Sequence, residues 1–97
     1  MKIIAFLNPK GGSGKTTATI NVSSCLADSG KKIAVVDTDP QMSLTNWNKA
    51  EKAVFDVYTA ASEKDVYQVR KDLAEYDFVI IDGAFFPVRL FEQRVYE

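Results

Sequence analysis

Eight consecutive residues carry the densest chemistry in the chain: Lys10-Gly11-Gly12-Ser13-Gly14-Lys15-Thr16-Thr17. They directly follow the apolar run from Ile3 to Leu7, so they read as a strand, a glycine-rich turn and a helix start. Glycine tolerates the backbone angles that let successive N–H groups point inward at an anion. The helix that follows offers its unpaired N–H groups and the positive end of its dipole to the same anion. Lys15 adds a point charge for phosphate oxygens, and the Thr16 hydroxyl is suited to Mg2+. The strict P-loop pattern asks for glycine where this chain has Pro9, so the loop is a variant opened by Lys10.

Two acidic clusters extend the argument. Asp37-Thr38-Asp39-Pro40-Gln41 follows the apolar run Ile33 to Val36, and Asp82 closes the segment Tyr76 to Asp82. Taken alone, Asp39 also reads as a helix N-cap ahead of Pro40, and Asp82-Gly83 also reads as a turn. Open α/β sheets bind ligands at the carboxyl ends of their strands. All three clusters fall at such ends, and that convergence favours one site over three coincidences.

The elements that must position these residues follow from periodicity. Residues 2–8 and 33–36 read as buried parallel strands, being nearly continuous in apolar residues. Residues 15–29 read as a helix whose inward face is Ala18, Val22, Cys25, Leu26 and Ser29, with Gly30 as the residue that ends it. Asp39 caps a helix from Pro40 to about Ala53, and residues 54–58 form a short strand. Ser62-Glu63-Lys64-Asp65 resembles a capping box and opens a helix with Val66, Val69 and Leu73 on one face. Residues 76–82 are the last strand. The order β-α-β-α-β-α-β predicts an α/β, doubly wound, mostly parallel sheet with right-handed crossovers.

Composition removes several classes. The 97 residues suffice for one small domain, and 46% apolar with 11% aromatic content argues for a packed core rather than disorder. A net charge of −1, with no Lys/Arg run longer than two, gives no basic arm for nucleic acid. The absence of histidine removes His acid–base chemistry and His metal sites. The single cysteine, Cys25, cannot form an internal disulfide and reads as a small buried helix residue. The first apolar run is too short for a signal peptide or a membrane span, so a cytoplasmic protein without a membrane partner is expected.

These residues resemble the ParA/MinD family of ATPases, the deviant Walker A group. Lys10 to Thr17 matches its signature loop, Asp37 to Gln41 its second motif and Asp77 to Asp82 its Walker B strand. The resemblance covers residues 1–84, is strongest toward the small plasmid-partition members, and implies a P-loop NTPase-like fold. It implies ATP and Mg2+ as cofactors. The backbone from Gly11 to Lys15 would wrap the phosphates, with Lys15 binding them in cis and Thr16 ligating Mg2+. Asp82 would hold Mg2+ through a water with Asp37 nearby, and Asp39 would position the attacking water. Lys10 would reach across a nucleotide sandwich dimer to the partner's phosphates. The resemblance further implies self-association, a centromere-binding partition protein and nonspecific DNA as partners.

The pattern stops at Ala84. Residues 85–97 read as a divergent tail, resembling a frame-shifted or recombined end. The expectation is therefore an N-terminal half sheet, without the adenine-recognising loops, much of the dimer face or the DNA-contacting surface. Hydrolysis is expected to be impaired. The alternatives are a non-enzymatic remnant, or a chain that pairs with intact copies and poisons their assembly. A small P-loop kinase fits less well, because an Arg-rich lid is absent and Lys10 and the Asp37 motif fit partition ATPases better.

Overall fold

The computed structural model of the chain describes residues 2–7, 13–40, 42–51, 54–60 and 62–83, giving backbone alone at 13–15, 43, 51 and 63. In chain order the elements are β1 (Lys2–Leu7), α1 (Ser13–Asp28), β2 (Ile33–Thr38), α2 (Ser43–Glu51), β3 (Asp56–Thr59), α3 (Glu63–Gln68), α4 (Arg70–Leu73) and β4 (Phe78–Gly83). The four strands form one parallel sheet in the order β1-β4-β2-β3. The expected α/β parallel architecture is therefore present.

Alternation of side chains sorts the core into two layers. Ile33, Val35 and Ile80 pack with Leu44 and Phe55 on one face, joined by Ile20, Leu26 and Ala27 of α1 and Trp47 of α2. Ala34, Val36, Val79 and Ile81 pack with Val66, Leu73 and Tyr76 on the other. Thus α1 and α2 cover one face and α3 and α4 the opposite one. The chain explains this division. It moves across the sheet from β1 to β2 to β3, then reverses to insert β4 between β1 and β2. Right-handed crossovers keep helices on one face while the direction holds and move them to the other when it reverses.

Local chemistry sets the element ends. Gly30 adopts φ +85, and the N–H of Lys31 reaches back to the Leu26 carbonyl at 3.3 Å, which closes α1 as a glycine-terminated helix. Ser62 caps α3, its hydroxyl accepting from the Asp65 amide at 3.4 Å.

Three expectations are corrected. The helix expected from Pro40 begins at Ser43, because Met42 has φ 53, outside the helical region. The helix expected to carry Val66, Val69 and Leu73 continuously is broken at Val69, where the Arg70 guanidinium donates to the Tyr67 carbonyl at 2.8 Å and stacks on its ring. Val66 and Leu73 are nonetheless fully buried together. Finally, Cys25 is exposed rather than buried. The inward face of α1 is rotated from the apolar stripe toward Thr19 and Ser23, both fully buried.

At the amino edge of the sheet, the Tyr76 hydroxyl donates to the Asp56 carboxylate and lies 3.2 Å from the Tyr58 hydroxyl. Burial, and then the bond to Asp56, push the Tyr76 phenol well above its ordinary range. Lys32 sits 4.8 Å above the Tyr76 ring, and its amide donates to the Asp77 carboxylate at 2.7 Å. This polar clamp lies at the end of the strands away from the acidic clusters.

Candidate functional site

The site is a consequence of strand parity. Asp37 continues the face of Ile33 and Val35, and Asp82 continues the face of Phe78 and Ile80. Asp37 and Asp82 are register partners on adjacent strands, so two carboxylates sit side by side beneath α1 and α2. Both are essentially excluded from solvent, at 1% and 0% exposure. Buried carboxylates need hydrogen-bond donors, and the surrounding elements supply them.

For Asp82 the donors come from α1. The Thr19 hydroxyl donates to Oδ1 at 3.1 Å, and the Thr16 hydroxyl lies 3.4 Å from Oδ2. Thr16, Thr19 and Ser23 are three and four residues apart, which places hydroxyls in a line on one helix face. That line lies beside the expected stripe, of which Leu26 still packs on the core while Cys25 is exposed. Thr17, next along the helix, is exposed.

For Asp37 the donors come from α2 and the preceding turn. Oδ1 accepts from the Asp39 amide at 3.1 Å. Oδ2 accepts from the Thr45 amide at 2.9 Å and from the Thr45 hydroxyl at 2.7 Å. The Thr45 oxygen also lies 3.0 Å from the Thr59 hydroxyl at the end of β3. Asp39 is buried at 8% exposure, and its carbonyl accepts from the Met42 amide at 2.9 Å.

Beside the two carboxylates, the sheet closes tightly. Gly83 pairs with Thr38, and a Cβ built on Gly83 would lie 1.6 Å from the Thr38 hydroxyl oxygen. Any larger residue at 83 would push β4 away from β2. Among the described residues, the same buried Thr38 hydroxyl has no hydrogen-bond partner. Gly83 is the last residue of a strand, not a turn glycine, and close packing explains it.

The structure therefore brings together Thr16, Asp37, Asp39 and Asp82. Lys10, Gly11 and Gly12 lie outside the described residues, as do the side chains of Ser13 and Lys15 and the whole segment 85–97. The backbone of residues 13–15 forms the first turn of α1, one turn before Thr16 and Thr19. Thr19, Thr45 and Thr59 were not singled out by the sequence. The helical spacing of Thr16, Thr19 and Ser23 is the signal that points to the first of them.

Mg2+ prefers a few hard oxygen ligands and keeps several waters, commonly using one or two carboxylates together with substrate phosphates. A threonine oxygen and a carboxylate within 3.4 Å, at the start of a helix preceded in sequence by a glycine-rich segment, fit that pattern. Among the described residues no group of three or more Cys, Asp and Glu gathers for a metal held by protein alone. No described helix is long and apolar enough to cross a membrane.

Comparison with known proteins identifies relatives over much of the described chain. A family model described as AAA domain matches residues 1–72. The sporulation initiation inhibitor protein Soj of Bacillus subtilis (strain 168) is 46% identical over 74 residues, covering 76% of this chain and 26% of that protein. The virulence plasmid ParA family protein pGP5-D of Chlamydia psittaci is 54% identical over 46 residues, covering 46% and 18%. The chromosome-partitioning ATPase Soj of Treponema pallidum (strain Nichols) is 49% identical over 45 residues, covering 46% and 18%. The match thus spans about a quarter or less of the length of these three relatives.

Proposed function

The chain belongs to the ParA/MinD family, and from that premise we propose that it is a Mg-ATP-binding protein of the deviant Walker A, DNA-partition type. The observation that carries the reading is the pair Thr16–Asp82, set at the start of the helix that follows the glycine-rich loop. Within the family, we read residues Met1 to Ala84, including Met42-Ser43-Leu44-Thr45-Asn46-Trp47, as resembling the small plasmid-partition ATPase ParF.

Each residue then has a task. Amides from Gly11 to Lys15 and the Lys15 ammonium hold phosphate oxygens, with Thr17 at the edge of the loop. The Thr16 oxygen and Asp82 would hold Mg2+. When bound there, Mg2+ would supply positive charge against the phosphate oxygens. Asp39 positions the attacking water, while Asp37 holds the Asp39 amide. Lys10 acts on a second protomer's phosphates when two nucleotide-loaded chains meet, which is the self-association the family reading carries. A centromere-binding partition protein and DNA are the further partners of that reading, and the cytoplasm is its compartment.

For these 97 residues we expect binding with slow hydrolysis. Among the described strands, β1 bonds only to β4. The same β1 edge favours a second reading, association with an intact relative, since Leu7 is 44% exposed and Ile3 to Phe6 are only half-buried.

Calorimetric titration with Mg-ATP tests the first reading. Lys15→Ala should lose most of the affinity, whereas Lys10→Ala should keep monomer binding and lose any ATP-driven dimer. Equal behaviour of the two variants would overturn the separate roles. Co-purification with a full-length relative tests the second reading, and failure to associate at micromolar concentration removes it.

A further inference from the structure

We propose that Thr45 is a positioning residue, the centre of a hydrogen-bonded link Thr59–Thr45–Asp37–Asp39 that fixes the Asp39 segment against the sheet. The inference rests on the nucleotide-site reading above, and adds a residue that neither the loop nor the acidic motifs contain.

The direction of each bond follows from donor counting. A carboxylate only accepts, so both Thr45 groups donate to Asp37, the amide at 2.9 Å and the hydroxyl at 2.7 Å. The hydroxyl has one proton, and Asp37 takes it. The Thr59 hydroxyl therefore donates to the Thr45 oxygen across 3.0 Å. On its other oxygen Asp37 accepts the Asp39 amide at 3.1 Å. Its backbone carbonyl accepts from Ala60 at 3.0 Å. One buried residue thus joins the ends of β2 and β3, the first turn of α2 and the Asp39 turn.

A second observation shows why such a link is needed. Met42 closes the Asp39 turn with φ 53, a conformation that a side chain such as methionine rarely adopts. Strained backbone persists only where its surroundings over-determine it. Here the turn is held on one side by the Met42 amide on the Asp39 carbonyl and on the other by Asp37. Without the Thr45 hydroxyl, Asp37 keeps one donor on Oδ2 and gains freedom to rotate. The Asp39 amide then loses a fixed acceptor. Trp47, two residues further along α2 and the only tryptophan, stacks on Phe55 at 6.1 Å and reports the placement of that helix.

The test compares wild type with Thr45→Val, Thr45→Ser and Thr59→Val by amide-resolved NMR exchange, with Trp47 emission recorded alongside. Thr45→Val should speed exchange of the Asp39 amide by roughly tenfold, as expected for weakening a hydrogen bond to a charged group. Thr45→Ser should restore the wild-type rate, Thr59→Val should give a smaller change of the same sign, and amides of Ala34 and Ile80 should be unmoved. Equal acceleration at all amides, or no rescue by serine, would make Thr45 a general stability residue and overturn the proposal. An unchanged Asp39 amide in a folded Thr45→Val chain would overturn it as well. A parallel arm measures the Mg-ATP melting shift of wild type. Absence of that shift removes the nucleotide reading and with it the assignment of Thr45 to its site. A shift with an unaffected Asp39 amide refutes the link alone.

Discussion

Replacing Gly83 with alanine should damage the sheet at the point where the two buried carboxylates are set side by side. The added Cβ would lie 1.6 Å from the Thr38 hydroxyl oxygen, 2.7 Å from its Cβ and 2.8 Å from its carbonyl carbon. Rotating the Thr38 side chain relieves the first contact only. The other two belong to atoms fixed by pairing between β2 and β4. The strands must therefore separate, and overpacking of this kind costs about 1–3 kcal/mol, with the backbone contact placing it at the upper end. For a domain of this size, ~3 kcal/mol corresponds to a fall of roughly 12–24 °C in Tm. Thermal and urea melts of Gly83→Ala measure it directly. Thr38→Ala added to the variant should recover part of the loss, since it removes the hydroxyl and leaves Cβ. Thr38→Gly should recover more. A Tm for Gly83→Ala within about 2 °C of wild type, a difference of under ~0.5 kcal/mol, would refute the close-packing argument.

Two other perturbations probe the donors and the far edge of the sheet. Thr19→Val removes a hydroxyl that donates to the buried Asp82, so it should cost about 1.5–3 kcal/mol in urea unfolding, with most of the loss restored by Thr19→Ser. Tyr76 titrates above its unfolded value, so its contribution is complete below about pH 10 and declines as pH rises beyond that. Unfolding measured from pH 8 to 11 should therefore show stability falling at the alkaline end, with a shallower fall in Tyr76→Phe; identical slopes would contradict the Tyr76–Asp56 assignment.

Much of this arrangement is legible in the sequence, for definable reasons. The strands ending at Thr38 and Gly83 announce themselves as apolar runs, because a parallel strand covered on both faces has no polar alternation to confuse the reading. Gly30 and Ser62 act locally, so their positions suffice. The face of α1 is only partly legible: Leu26 packs inward as expected, but Thr19 and Ser23 are the fully buried residues, and an apolar stripe does not count a hydroxyl such as that of Thr19, aimed at a buried carboxylate. The start of α2 was misplaced for a related reason. Asp39 has the right residue type for a cap, but the carboxylate that takes the Thr45 amide belongs to Asp37, eight residues away. Such tertiary bonds leave no local mark. The turn stays an alternative for Gly83 in the sequence because its partner Thr38 is 45 residues distant in the chain, and only the register reveals the contact. The pairing of Asp37 with Asp82, by contrast, follows from parity once the strands are placed beside each other.

Mg-ATP is proposed to bind at the segment ending at Lys15, with Thr16 and Asp82. The most direct measurement is the Tm of the purified chain with and without excess Mg-ATP. At about one hundred times the dissociation constant, ligand should add roughly 2.7 kcal/mol, a rise of about 10–20 °C for a domain of this size. A cooperative melt that moves upward by that order, and fails to do so in Lys15→Ala, is the predicted result. A cooperative melt that ignores Mg-ATP, or a chain with no cooperative transition, would contradict it.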